Sequence, residues 1–168
     1  NYHPETARRY ADYSLFTCNA RIGRDVHQVL MLLTSPGARV RTSLLSVAPL
    51  GLHERTLELI RREAAHAAAG RPARIVAKLN ALVEPEVIEA LYAASCAGVR
   101  VDLLVRGTCC LRPGVPGASD NIRVHSLVGR FLEHARVFVF ANGGKQEVYL
   151  ASGDWMERNF FTRVEVLF

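Results

Sequence analysis

The chain has 168 residues, is 49% hydrophobic and carries a formal charge of +5, which is enough material for one good core and part of a second. No stretch approaches the roughly 18 consecutive apolar residues of a membrane-spanning helix, and no basic segment leads into an apolar one as a secretory signal would. The chain opens on Asn1 rather than Met and closes on Phe168 inside an apolar run, so both ends are expected to be cut from a longer polypeptide.

Taken in chain order, residues 2–17 show no clean period. Ile22, Val26, Val29, Leu30 and Leu33 keep helical spacing and predict a helix over 22–34. From Arg39 the pattern alternates strand and helix. Residues 40–48 read as a strand ending before Pro49. Residues 52–69 read as a helix with Leu57, Ile60 and Ala64 on one face, Arg61, Arg62 and Glu63 off it, and Gly70 as its stop. A short apolar strand follows at 74–79. Pro85 starts a second helix that ends at Gly98, and 99–105 is a third strand suited to burial on both faces. Strands joined by helices of this length predict βαβ units around a parallel sheet. Beyond Arg106 a Gly- and Pro-rich loop gives way to strand-like runs at 122–127, 137–141, 147–151 and 163–168, with few helices between them. The expected class is therefore α/β shading to α+β. The boundary near Arg39 makes 1–38 the tail of a preceding domain and 39–168 most of a second one.

The basic residues are nearly all arginine, only Lys78 and Lys145 being lysines. An Arg- and Ala-rich GC-biased genome accounts for the total, but the distribution says more. Arg100, Arg106, Arg112, Arg123, Arg130 and Arg136 face only Asp102, Asp120 and Glu133 within residues 100–136, a cationic stretch suited to a polyanion. Within that stretch Phe131 is the one aromatic, which argues against a nucleic-acid surface built on base stacking. Cys18, Cys96, Cys109 and Cys110 lack zinc-type spacing and are expected to be free, buried thiols of a reducing compartment.

Ligands of α/β sheets gather at strand carboxyl ends, which singles out Lys78, Asn80 and Arg106. Arg106, directly after buried LLV and before Gly107, calls for an anionic partner. His134 is the histidine with a chemical reading, whereas His27 and His125 read as structural and His53 and His66 as surface helix residues. Asn142–Gly143–Gly144 is a turn signal. His134-x-Arg136, Asn142 and Ser152-Gly153-Asp154 loosely match the H-x-K…D…G-S pattern of the phospholipase D superfamily, with Arg for Lys and no Asp at the Asp position.

Asn1–Tyr2 with TARRYADYSLFT, PARIVAKLNALVEPEVIEALYAAS, GVRVDLLVRGTCCLRPGVPG, SDNIRVHSLVGRFLEHARVFVFANGG, SGDWMERN and RVEVLF together carry a denser likeness. Over essentially its whole length the chain resembles the C-terminal region of class 1 polyphosphate kinases. That resemblance implies a phospholipase D-like domain with a mixed central sheet flanked by helices. It also implies reversible transfer of the ATP γ-phosphate to inorganic polyphosphate through a phosphohistidine. It places Tyr10, Arg106 and His134 at the ATP and its phosphates, His134 in a supporting catalytic role, and Arg163 near the phosphate path. The phosphorylated histidine and the arginines that help hold Mg²⁺ are expected upstream of Asn1, so no metal ligand is expected in this chain and the fragment alone is expected to be inactive. ATP or ADP and polyphosphate are the expected partners and nucleic acid is not. A homo-oligomer is expected for the full-length enzyme, in the cytoplasm with room for peripheral attachment to the inner membrane. Gly153, where the family usually has Ala or Ser before Asp154-Trp155, is expected to loosen that turn. A phospholipase D-type phosphodiesterase or transferase, with His134 as nucleophile, is the alternative.

Overall fold

A computed structural model describes residues 3–35, 37 and 39–168; the Asn1–Tyr2 part of the resemblance lies outside them. In chain order the elements are α1 (Pro4–Ala7), β1 (Tyr10–Ala11), α2 (Ala20–Thr34), β2 (Ser46–Val47), α3 (Leu52–Ala68), β3 (Arg74–Leu79) and α4 (Pro85–Cys96). They continue with β4 (Arg100–Val105), β5 (Ile122–His125), β6 (Leu132–Glu133), β7 (Arg136–Phe140), β8 (Glu147–Ala151), α5 (Glu157–Phe161) and β9 (Val166–Leu167). A mixed sheet runs β2-β9-β8-β7-β3-β4-β5. Its β3, β4 and β5 are parallel, and β7, β8, β9 and β2 add on antiparallel. Separately, β1 pairs in parallel with β6.

The period-2 alternation of β3 puts Ile75, Ala77 and Leu79 on the buried face. The register aligns Phe140, Ile75, Val101 and Ile122 in one layer across the sheet, and Phe138, Ala77, Leu103 and Val124 in the next. Against these layers lie Leu57, Leu59 and Ile60 of α3 and Val87, Leu91 and Ala94 of α4. Each fully buried aliphatic side chain contributes about 1.5–3 kcal/mol. Strand β4 is closed differently on its two sides. Leu103 and Val105 face the helices, whereas Asp102 on the other side sits under the guanidinium groups of Arg74 and Arg100, both of which bond to it.

Local signals set most boundaries. Glu84 accepts from the Val87 N–H and Pro85 fills the first helical position of α4. Gly70, with φ of 67°, ends α3 as a left-handed residue. Helix α2 starts two residues earlier than its apolar spacing suggests, because the Asn19 side chain accepts from the N–H groups of Arg21 and Ile22.

The strand expected at 40–48 shrinks to Ser46–Val47. Asp25, buried on α2, takes the N–H groups of Ser43, Leu44 and Leu45 on one carboxylate oxygen at 2.6–3.0 Å, so those donors never reach a neighbouring strand. Glu63 and His53 are also not where helical spacing put them. Glu63 is fully buried, accepting from the backbone N–H groups of Arg74 and Asn142. His53 is buried with Nε2 3.2 Å from Glu84 and its ring against those of Phe160 and Phe161. The short helix α5, after Trp155, had no periodic signal in its five residues. The cysteines are free but not buried: Cys18, Cys96 and Cys110 are exposed and Cys109 is half-buried.

Candidate functional site

The carboxyl ends of β3 and β4 and the start of β7 lie side by side at one end of the sheet. The backbone there is tightly tied. Asn80 O accepts from Gly107 N at 2.9 Å, and a Cβ on Gly107 would sit 3.2 Å from that oxygen, so a side chain here would press on the strand ends. Asn80 N donates to Asp154 Oδ1 at 2.7 Å.

Four side chains form a linked chain across this end. Asp154, buried, binds the Arg136 fork through Nε at 3.1 Å and Nη2 at 3.0 Å. The remaining Arg136 nitrogen, Nη1, donates to the His134 carbonyl at 2.8 Å and lies 3.2 Å from His134 Nε2. On the other side of the ring, His134 Nδ1 is 2.7 Å from Asp12 Oδ1. A guanidinium only donates, so Nε2 carries the lone pair and Nδ1 carries the hydrogen that Asp12 accepts. With its amide turned so that oxygen faces Arg136, Asn80 accepts from Arg136 Nε at 3.0 Å and donates to Glu133 O at 2.7 Å. The Tyr10 ring meets His134 edge-on with centroids 4.9 Å apart. A cleft of about 460 Å³ opens here, with Asp12, His134, Arg136 and Ser152 among its lining residues.

Arg106 reaches the same neighbourhood. Its Nη1 donates to Glu133 O at 3.1 Å, a carbonyl, and no carboxylate among the described residues pairs with it. The expected anionic partner is thus not a structural carboxylate of the described chain. Lys78 comes from the adjacent strand, donating to Ala135 O at 3.0 Å and pairing with Glu133 at 3.3 Å.

The structure therefore sets Tyr10 against His134 and ties Arg106 to the carbonyl of the preceding residue, Glu133, although neither Tyr10 nor Arg106 lines the cleft itself. Arg163 lies at the same end of the sheet, between α5 and β9, but its side chain is exposed and outside the residues lining the cleft. Asn142 is elsewhere altogether. It sits at the far end of β7, bonded to Glu63, His66 and Glu147, so it takes no part in a phospholipase D-type constellation. The acidic group of that loose pattern that does reach this site is Asp154, through Arg136. At Gly153 a Cβ would come within 3.1 Å of the Glu165 side chain, whose carboxylate accepts from Ser152 and Asn159.

The arginines of residues 100–136 are dispersed rather than gathered. Arg100 is held by Asp102 at the amino end of β4, and Arg130 lies over the Phe131 ring at 5.5 Å. Among the described residues, no group of three or more His, Cys, Asp or Glu is placed to hold a metal ion. Asp12 went unnoticed in the sequence. Its signal was available in YAD: in extended chain, residues two apart share a face, so Tyr10 and Asp12 approach one ring together.

Comparison with known proteins agrees with this architecture. The family model "Polyphosphate kinase C-terminal domain 2" matches residues 45–168, and "Polyphosphate kinase C-terminal domain 1" matches residues 1–39. A polyphosphate kinase of Paraburkholderia phytofirmans is 57% identical over all 168 residues, which span 24% of its length. The crystal structure of polyphosphate kinase from Porphyromonas gingivalis superposes with a TM-score of 0.85 at 43% identity, over 90% of this chain and 23% of that one. NucT from Helicobacter pylori, at 15% identity and a TM-score of 0.51 over 73% of this chain and 80% of its own, shares the fold alone. The fold is α/β, with a mixed sheet flanked by helices, and is that of the polyphosphate kinase structure. Spanning about a quarter of the length of the curated relatives it matches, the chain belongs to the polyphosphate kinase family, in the C-terminal region of its members.

Proposed function

We propose that this chain supplies the C-terminal half of a phosphoryl-transfer site in a polyphosphate kinase, which moves the ATP γ-phosphate reversibly onto inorganic polyphosphate. The observation that carries the reading is the placement of Tyr10 against His134, with Arg106 on the adjoining Glu133 carbonyl at the carboxyl end of β4, in a chain from that family. The phosphohistidine belongs to the polypeptide upstream of Asn1, as do the groups that hold Mg²⁺. Residues 1–38 belong with the domain preceding 39–168. The full-length enzyme is cytoplasmic and homo-oligomeric.

Phosphoryl transfer needs positioning and charge neutralisation more than further covalent help. Arg106, ion-paired to no described carboxylate, offers its fork to phosphate oxygens. Tyr10 packs beside His134 and contacts the nucleotide. For His134 to donate to the transferred group, a second proton resides on Nε2. Arg136 Nη1 then turns away from that nitrogen, and Asp12 at Nδ1 balances the imidazolium charge. Arg163 would act only later along the phosphate path.

The test is ATP-dependent polyphosphate synthesis by the full-length enzyme. Arg106→Ala and His134→Ala are each expected to lower kcat by about 100-fold or more, and near-wild-type rates in both would remove the site. The isolated chain is expected to be inactive. Phosphodiester cleavage without nucleotide by the full-length enzyme would instead favour the phospholipase D-type alternative.

A further inference from the structure

A second basic surface lies apart from the His134 cleft. Helix α2 is two-faced. Ile22, Val26, Val29 and Leu30 point into an apolar hollow with Leu45 and Phe168, while Arg21, Arg24 and Gln28 line an open groove on the other side. Arg41, Thr42 and Ser43 form its far wall, and its volume is about 930 Å³. It shares no lining residue with the cleft at His134.

The charge in this groove is unbalanced. Its one acidic member, Asp25, is buried and turned inward onto the Ser43, Leu44 and Leu45 N–H groups and the Ser43 hydroxyl. Arg21, Arg24 and Arg41 are exposed, and none has an ion-pair partner among the described residues. Arg21, Arg24 and His27 follow one another at intervals of three, so they form a slanting row about 4.5 Å apart along the helix axis. A row of forks facing a third arginine across an open groove suits an extended anion with closely spaced negative groups. No Phe, Tyr or Trp lines it, so there is no platform on which a base would stack.

We propose that this groove is an accessory docking site for inorganic polyphosphate, holding a segment of the polymer away from the reacting end. The proposal rests on polyphosphate being the substrate. It differs from the transfer site in predicting a surface that long chains need and ATP does not.

The experiment uses the full-length enzyme and three titrants: long-chain polyphosphate, tripolyphosphate and ADP. The triple variant Arg21→Ala/Arg24→Ala/Arg41→Ala is expected to bind long-chain polyphosphate about 10- to 100-fold more weakly and with a shallower salt dependence. Its affinities for tripolyphosphate and ADP should remain at wild-type values. The variant Arg21→Lys/Arg24→Lys/Arg41→Lys should recover part of the long-chain affinity, because it restores the charge without the forks; no recovery over the Ala variant would count against a charge-based site. Unchanged long-chain affinity in the Ala variant would overturn the groove while leaving the proposed function standing. Equal loss for all three titrants would also overturn it, as a general structural defect. Single-stranded RNA competing as well as polyphosphate would overturn it in favour of an unselective polyanion surface. If the wild-type enzyme bound no polyphosphate at all, the functional reading itself would fall.

Discussion

Asp25 shows how much of this fold depends on single polar side chains. Burial alone pushes its carboxyl up, but the N–H groups of Leu44, Leu45 and Ser43 and the Ser43 hydroxyl outweigh that and leave it below its ordinary value. A carboxyl lowered in the folded state adds stability above its unfolded value and loses it as pH falls through the folded one. Asp25→Ala should therefore unfold about 2 kcal/mol more easily near neutrality. It should also lose less stability than wild type on acidification below about pH 4. Urea midpoints of the chain measured against pH decide it, and parallel curves for the two proteins would contradict the assignment. Such residues are the least legible part of the sequence. Asp25, Glu63 and His53 each look like an ordinary charged position on an amphipathic helix. What buries them is a partner far along the chain: residues 43–45 for Asp25, Arg74 and Asn142 for Glu63, and Glu84 with Phe160 for His53.

At the scale of elements the sequence reads well wherever periodicity and punctuation agree. Helix α4 is framed by Pro85 and Gly98, β3 alternates cleanly, and β8 occupies the residues its pattern marks. Reading fails at 40–45, where apolar residues suggest a strand but the backbone donors belong to Asp25. The turn after β7 was legible as a turn, though not its attachment. Asn142 and Gly143 both have positive φ, and the Gly143 Cα faces the His66 ring closely enough that a Cβ would come within 3.2 Å of it. Gly143→Ala is thus strained in backbone and crowded by α3, and should lower stability by about 1–2 kcal/mol. Thermal unfolding of the variant checks this, and His66→Ala should relieve part of the loss by removing the crowding ring. No relief would mean that the backbone conformation accounts for all of it.

The whole molecule is held together at the site by a short join between distant parts of the chain. Parallel pairing of β1 with β6 is two residues long, with Leu132 N donating to Arg9 O and His134 N to Ala11 O. It anchors the segment from Ser126 to Phe131, in which Val128 is 83% exposed. Removing residues 3–11 should release that segment, and proteolysis by thermolysin followed by mass spectrometry should show faster cleavage around Leu127 and Val128. Unchanged cleavage would mean that β5 and β7 alone hold it. The α/β class was legible because it follows from local alternation, and so was the placing of Lys78, Asn80 and Arg106 at strand carboxyl ends. Of the linkage Asp12–His134–Arg136–Asp154, the last three were grouped by the loose H-x-K…D…G-S match, whereas Asp12 was not, since its place depends on how β1 meets β6 across 122 residues of sequence.

That linkage has a consequence for which anions the cleft admits. Arg136 already holds a carboxylate, so an entering phosphate oxygen does not fill an empty place there; it must displace Asp154 or share the guanidinium with it. A phosphodiester brings one negative charge, no more than the carboxylate it would replace. A terminal phosphoryl group brings about two near neutral pH. On the proposed function, Asp154 would thus be displaced from Arg136 more readily by a doubly charged chain end than by a singly charged ester.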